Sequence, residues 1–403
     1  MTTYCSILPP YLLDAVAANC DGEVAERAAH TLRVEMAMRT QREVRAVRTD
    51  RPAGPSRPPG EGGTPPGIVP VDLLERIGRG QDRALRADLD ETGRPRRAPQ
   101  APPTQPPVAA TPARRIHDAQ HRADLPGALV RTEGAGPARD ESANEAYDGL
   151  GATWRLLNDV YGRNSLDGRG LPLVASVHFR RGYDNAFWNG DQMVFGDGDG
   201  EIFASFTDSI DVIGHELAHG LTQYTAGLVY LAQAGALNES ISDVFGVLTE
   251  QYLAGQSAEE ATWLVGAGLF TPQVRGVALR SMKAPGTAYD DPRLGKDPQP
   301  AHLRDYQDLP HDDSGDNGGV HINSGIPNHA FYLVATRLGG PAWERAGQIW
   351  YDTLVAGRLP KDADFARFAA GTIDAATARY GLGSVVDAVR EAWAAVGVRP
   401  AAR

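Results

Sequence analysis

Apolar positions recur with two different periods along this chain of 403 residues, and the change of period divides it. After Pro10, Tyr11, Leu12, Leu13, Ala15, Val16 and Ala17 predict a short helix, and Glu23 to Val47 predicts a second, rich in Ala, Arg and Glu. Pro and Gly then dominate Arg51 to Gly67, and Pro again Pro95 to Pro112. These flanks read as extended linker around a charged helical stretch from Val71 to Leu89. From Arg115 the pattern is globular. Ala146, Leu150, Trp154 and Leu157 mark one face of a helix over Ala143 to Tyr161. Leu173 to Phe179 alternates as a strand does, and Asn185 to Phe195 includes another. Ile210, Val212, Ile213, Leu217 and Leu221 then give a helix with Asp208 or Ser209 available to cap it. The remainder is mainly helical, over Ile241–Leu253, Ala330–Thr336, Pro341–Leu354, Phe365–Tyr380 and Ser384–Val396. Strands first and helices afterwards predict an α+β fold with a strand-rich N-lobe and a helical C-lobe.

Composition narrows the class. An apolar fraction of 42% with 23% charged residues fits a globular protein. The formal net charge of −11 argues against a nucleic-acid binder. No apolar run is long enough to span a membrane. The N-terminus lacks the pattern of a signal peptide, because no Lys or Arg precedes the first apolar residues and Pro9, Pro10 and Asp14 interrupt them. A precursor made in the cytoplasm, with export by a leaderless route open to it, is the expectation. Only Cys5 and Cys20 are present, so the globular part has no disulfide framework.

The chemistry lies in the helix beginning near Ile210. His215-Glu216-Leu-Ala-His219 puts two imidazoles about one turn apart on one face, with a carboxylate beside them. Two His ligands need a third ligand and an open fourth position to make a catalytic zinc site. Asn238-Glu239-Ser-Ile-Ser-Asp243 supplies it on a second helix. Glu239 can complete the ligand set, and Asp243, four residues on, can fix the tautomer of a ligand histidine. The Gly196-Asp197-Gly-Asp199-Gly200 run reads as turn chemistry rather than a calcium site.

This combination resembles the thermolysin-like neutral zinc metalloproteases from about Arg115 to the C-terminus. The matches include Asn185-Ala-Phe-Trp-Asn-Gly, the zinc helix, Tyr224-Thr-Ala-Gly-Leu-Val-Tyr230, Asn238 to Asp243, Arg280-Ser-Met and Gly319-Val-His321-Ile-Asn-Ser-Gly325. The stretch Ile7-Leu-Pro9-Pro10-Tyr-Leu-Leu resembles the short propeptide of the protealysin subgroup. The resemblance implies a propeptide over 1–50, a linker over 51–112, an N-terminal catalytic lobe over 113–227 and a C-terminal lobe over 228–403. It implies one catalytic zinc on His215, His219 and Glu239, with Glu216 as general base. Tyr230 and His321 would serve as oxyanion donors, and Asp316 would orient His321, or hold it protonated, in a glycine-rich loop. Asn185, the Ala186 carbonyl and Arg280 would hold an extended peptide. Phe203, Val212, Leu269 and Leu279 would line an apolar pocket, so that cleavage falls on the amino side of apolar residues.

Calcium is where this chain departs from the family. Asp211 and Glu250 match one acidic cluster, but 261–268 contains no carboxylate, and Ca²⁺ wants six to eight oxygens. One weak calcium at most is expected. The arm is expected to inhibit, stiffened by Pro9 and Pro10, with Cys5 either ligating the zinc or merely lying under a steric cover. Protein or peptide substrates and the chain's own propeptide are the expected partners. A zinc-binding protein without catalysis, and a zinc hydrolase of another substrate class, are the competing readings. The joint presence of Glu216, Tyr230 and His321 weighs against the first, and Asn185 with Arg280 against the second.

Overall fold

Residues 5–49 and 110–402 are described in the computed structural model, so most of the expected linker, including its charged stretch, lies outside the described residues. The first described segment is a two-residue strand, β1 (Cys5–Ser6), followed by helices α1 (Pro10–Asn19) and α2 (Gly22–Thr49). Pro10 begins α1 at the position where a missing N–H costs nothing.

The alternating stretches then build a sheet. Its strands are β2 (Arg114–Asp118), β3 (Ala128–Thr132), β4 (Leu173–Val177), β5 (Ala186–Trp188) and β6 (Met193–Phe195). The order is β1-β5-β6-β4-β2-β3, with β4 parallel to both β2 and β6 and the other pairs antiparallel. The single strand expected within 185–195 is two, joined by a turn in which Asn189 Oδ1 accepts from the amides of Asp191 and Gln192. The first strand among the described residues, β1, therefore pairs with β5, at the edge of the sheet nearest the zinc-motif helix.

Helix α3 (Glu141–Arg155) packs on this sheet and is capped by Asp140, whose Oδ1 accepts from Ala143 N at 2.8 Å. Two long helices follow, α4 (Ile210–Gln223) and α5 (Ala232–Ala254). Ser209 stands at the N-cap of α4 without a side-chain cap bond. Asp211 in the first turn instead accepts from Gly266 N at 2.5 Å, so this carboxylate holds a distant loop. The two helices approach closely because glycines meet between them. A Cβ on Gly246 would lie 2.4 Å from the Asp211 carbonyl, and one on Gly214 would lie 3.0 Å from Gly246 Cα. Only glycine allows that approach, and it brings the His-bearing and Glu-bearing faces together.

The C-terminal part adds α6 (Asp316–Asn323), α7 (Gly325–Leu338), α8 (Ala346–Val355), α9 (Phe365–Tyr380) and α10 (Ser384–Ala395). Trp350, Phe368 and Trp393 join α8, α9 and α10 in a buried aromatic cluster with centroid separations of 6.1 Å. Strand-rich N-lobe and helical C-lobe are both present, as the pattern predicts. Among the described residues, no helix is long and apolar enough to cross a membrane.

Candidate active site

Four polar side chains converge where α4 faces α5. His215 and His219 place their Nε2 atoms 3.1 Å apart. Glu239 brings Oε2 to 3.5 Å from His215 Nε2 and Oε1 to 3.5 Å from His219 Nε2. Two ligands about 2.0–2.2 Å from a tetrahedral ion stand roughly 3.3–3.5 Å apart, so this spacing fits one small cation. The hydrogen-bonding of the set points the same way. Glu239 Oε2 is buried with no hydrogen-bond partner, a costly arrangement for a carboxylate oxygen unless a cation meets it. Burial, reinforced by His215, pushes His219 down to about 4, which leaves it the neutral imidazole that a metal requires.

The outer nitrogens are held as well. Asp243 Oδ1 accepts from His215 Nδ1 at 2.7 Å. Around His219 Nδ1 stand Asn238 Oδ1 at 2.9 Å and Ser242 Oγ at 3.0 Å. The partners of His219 escaped the sequence reading, although Asn238 and Ser242 sit four apart on α5, one position before Glu239 and Asp243. Glu216 is fully buried beside the pair. Its Oε2 accepts from Trp188 N at 2.8 Å, and its Oε1 has no partner. Burial and then the nearby Glu239 raise its pKa well above the usual carboxylate range.

Tyr230 and His321 close the opposite side. Tyr230 donates to Glu239, and its oxygen lies 3.1 Å from His321 Nε2. The loop expected around His321 is a helical turn. Asn317, Gly318 and Gly319 take φ of 52°, 83° and 74°, a left-handed run that glycine tolerates, and the chain then enters a regular turn at Val320. That curl lets Asp316 Oδ2 accept from His321 N at 2.8 Å and Oδ1 from His321 Nδ1 at 2.6 Å. Burial opposes a charge on His321, but Asp316 and Glu239 outweigh it and raise its pKa.

The N-terminal arm runs through this cleft. Ile7 N donates to the Ala186 carbonyl at 3.1 Å. Leu8 N donates to Asn185 Oδ1 at 2.9 Å, and Asn185 Nδ2 donates back to the Leu8 carbonyl at 3.1 Å. Arg280 reaches the Ile7 carbonyl at 3.3 Å while its other nitrogens grip Asp243. Ile7 is buried in the same apolar cluster as Phe203, Val212, Leu269 and Leu279. Cys5, His219 and Glu239 each offer a ligand atom within 4.8 Å of the others. Farther along the arm, Glu35 accepts from Asn185 Nδ2 at 2.5 Å, and Arg27 pairs with Asp184 at 2.5 Å. Neither contact has a local signal in the sequence.

The acidic positions considered for calcium have other occupations. Asp199 Oδ1 accepts from the amides of Glu201, Ile202 and Phe203 at 2.7–2.9 Å, which is turn chemistry. Asp197 pairs with His178 at 2.6 Å. Burial and then Asp211 push Glu250 up to about 7.

Two family models match end to end. The catalytic domain of thermolysin metallopeptidases covers residues 111–223, and the α-helical domain of the same enzymes covers 226–398. An "Extracellular metalloprotease" of Pectobacterium carotovorum subsp. carotovorum is 54% identical over 285 residues, spanning 71% of this chain and 81% of that protein. The chain belongs to the thermolysin family of metallopeptidases. "Protease PrtS" of a Photorhabdus species is 51% identical over 292 residues, spanning 72% of this chain and 78% of that one. Over nearly its whole length the chain also superposes on the "Precursor of Protealysin, Metalloproteinase from Serratia proteamaculans". That match has a TM-score of 0.76 and 44% identity, covering 98% of this chain and 99% of that one. This thermolysin-family member is therefore a zinc-dependent metalloendopeptidase with protein substrates, and its likeness to the protealysin precursor extends through the arm.

Proposed function

We propose that this enzyme cuts peptide bonds on the amino side of apolar residues with a single zinc, and that its N-terminal arm holds it inactive. His215, His219 and Glu239 would hold the metal, which their spacing and the unpartnered Glu239 Oε2 fit. When bound, zinc supplies Lewis acidity to a carbonyl and lowers the pKa of a water molecule to about 7.

The chain's own groups do the rest. Glu216 takes a proton from water and delivers it to the leaving nitrogen. His321 and Tyr230 donate to the oxyanion as charge develops, and one such donor is typically worth roughly 10²–10³ in rate. Asp316 accepts from His321 Nδ1 and, with Glu239, favours the doubly protonated ring, so that Nε2 also carries a proton toward the cleft. Asn185, the Ala186 carbonyl and Arg280 bind substrate backbone as an added strand. The wall formed by Phe203, Val212, Leu269 and Leu279 selects an apolar side chain, each buried CH₂ contributing about 0.8 kcal/mol.

The observation that carries the inhibitory reading is the occupancy of these same backbone-binding groups by Ile7 and Leu8. Pro9 and Pro10 stiffen the segment that follows. Cys5 is proposed as a thiolate ligand filling the fourth metal position, supported by its closeness to His219 and Glu239. Calcium is proposed to be absent or confined to one weak site.

The test compares intact protein with protein whose arm has been removed by limited proteolysis in the linker, each on a peptide library. Released activity with Leu, Ile, Val or Phe following the cut is expected. Equal activity before and after removal would sink the inhibitory role, and a preference for a charged residue at that place would sink the specificity.

A further inference from the structure

The arm does more than cover the cleft: its direction and register are those of a chain presented for cutting. β1 runs antiparallel to β5, with Cys5 opposite Trp188 and Ser6 opposite Phe187. The Ser6 carbonyl accepts from His321 Nε2 at 3.1 Å. The next nitrogen, that of Ile7, donates to the Ala186 carbonyl at 3.1 Å. One peptide bond thus has its oxygen at the oxyanion donor and its nitrogen at the carbonyl that holds a leaving amine. Its following residue, Ile7, is apolar and fully buried.

We propose that Ser6–Ile7 is a self-cleavage site, a latent substrate bond that the enzyme hydrolyses within its own chain once Cys5 no longer blocks it. The inference rests on the endopeptidase reading above. In the reaction, water oxygen bonds to the Ser6 carbonyl carbon and the Ser6–Ile7 C–N bond breaks. Glu216 carries the water proton to the Ile7 nitrogen, leaving a Ser6 carboxylate and an Ile7 ammonium. No reactant beyond water is required. The brake is built into the same strand. The Cys5 sulfur lies near His219 and Glu239, the region that the attacking water must occupy. Cutting removes residues 1–6 and takes Cys5 away with them, so the brake cannot re-form. Pro9 and Pro10 protect the Leu8–Pro9 and Pro9–Pro10 bonds, because neither proline can donate an N–H to the strand.

The experiment uses full-length C5S protein, read by intact mass and N-terminal sequencing. A product beginning at Ile7 is expected, forming at a rate independent of protein concentration, and absent from C5S/E216Q. Ile7→Asp in the C5S background should slow it at least tenfold. A second readout needs no catalysis. In E216Q protein, Ile7→Asp should speed alkylation of Cys5 at least tenfold by disturbing the register, with Cys20 as internal standard. An intact Ser6–Ile7 bond in C5S, or cutting that rises with concentration, overturns the inference. Unchanged Cys5 labelling in E216Q/I7D overturns the register on which it rests. The endopeptidase reading is judged separately, by whether wild-type protein freed of its arm digests an added leucine peptide.

Discussion

Arg280 and Asp243 form a two-point ion pair at 2.8 and 2.9 Å, and the same carboxylate accepts from His215 at 2.7 Å. Asn328 occupies its remaining edge at 2.8 Å. The guanidinium that holds the arm's Ile7 carbonyl is thus tied, through one carboxylate, to the imidazole that faces the metal position. Burial works against the charge on Asp243, but Arg280 and His215 outweigh it and hold its pKa well below the usual range.

Replacing Asp243 by Ala should therefore act twice. Zinc affinity should fall by roughly 10–100-fold, since the ring of His215 loses its orienting partner. Stability should fall by about 3–5 kcal/mol, because the buried Arg280 guanidinium loses its counter-charge. Chelator competition reads the first and urea unfolding the second. Unchanged zinc affinity would reduce Asp243 to a helix-packing residue.

Glu216→Gln separates binding from chemistry. It retains shape and leaves the three proposed ligands intact, so metal analysis should still find one zinc per chain. Hydrolysis of added peptide should vanish even after the arm is removed, because the amide cannot take a proton from water. Loss of the metal in this variant would contradict the role given to Glu216.

Glu250 provides a pH test. Its pKa is raised from the ordinary 4.5 to about 7, by burial and then by Asp211. A carboxyl raised on folding keeps its proton more tightly in the native state. Its ionisation therefore costs stability progressively as pH rises from about 4.5 to 7, and in full above that. Glu250→Gln should stabilise the protein at pH 8 by on the order of 1–2 kcal/mol, after allowance for solvent screening, and leave pH 4 stability nearly unchanged. Thermal unfolding at the two pH values checks this. An equal effect at both would exclude titration as the cause.

His178 has the opposite sign. It bridges Asp197 at 2.6 Å and Asp140 at 2.8 Å, and its pKa is raised from 6.5 to about 9, chiefly by the Asp197 hydrogen bond, against a cost of burial and with help from Asp140. The stability it contributes is fully present below about 6.5 and is lost as pH climbs through 9. His178→Gln should destabilise the protein at pH 6 by on the order of 1 kcal/mol after screening and have little effect at pH 10. A pH-independent loss in unfolding experiments would assign the residue to packing alone.

The linear pattern determined the α+β class, the zinc-motif helix and the proximity of Glu239 to Asp243, because each rests on period 3.6 or period 2 and needs no distant partner. It also exposed the arm as a separate segment, through the Pro-rich composition that follows it. What it left open were contacts between residues far apart in sequence. Nothing near Glu35 points to Asn185, and nothing near Trp188 marks its amide as the partner of Glu216. His321 was expected in a loop because glycines precede it. Only the packed chain shows that those glycines take left-handed φ and curl Asp316 back onto the ring. Likewise Ser209 carries the sequence signature of a cap, yet the folded chain gives α4 no side-chain cap bond and spends Asp211 on Gly266. Helical and strand periods are local properties of the backbone. The register that sets Ser6–Ile7 between His321 and Ala186 is fixed by β1 pairing with β5, nearly two hundred residues later, and only the tertiary structure decides it.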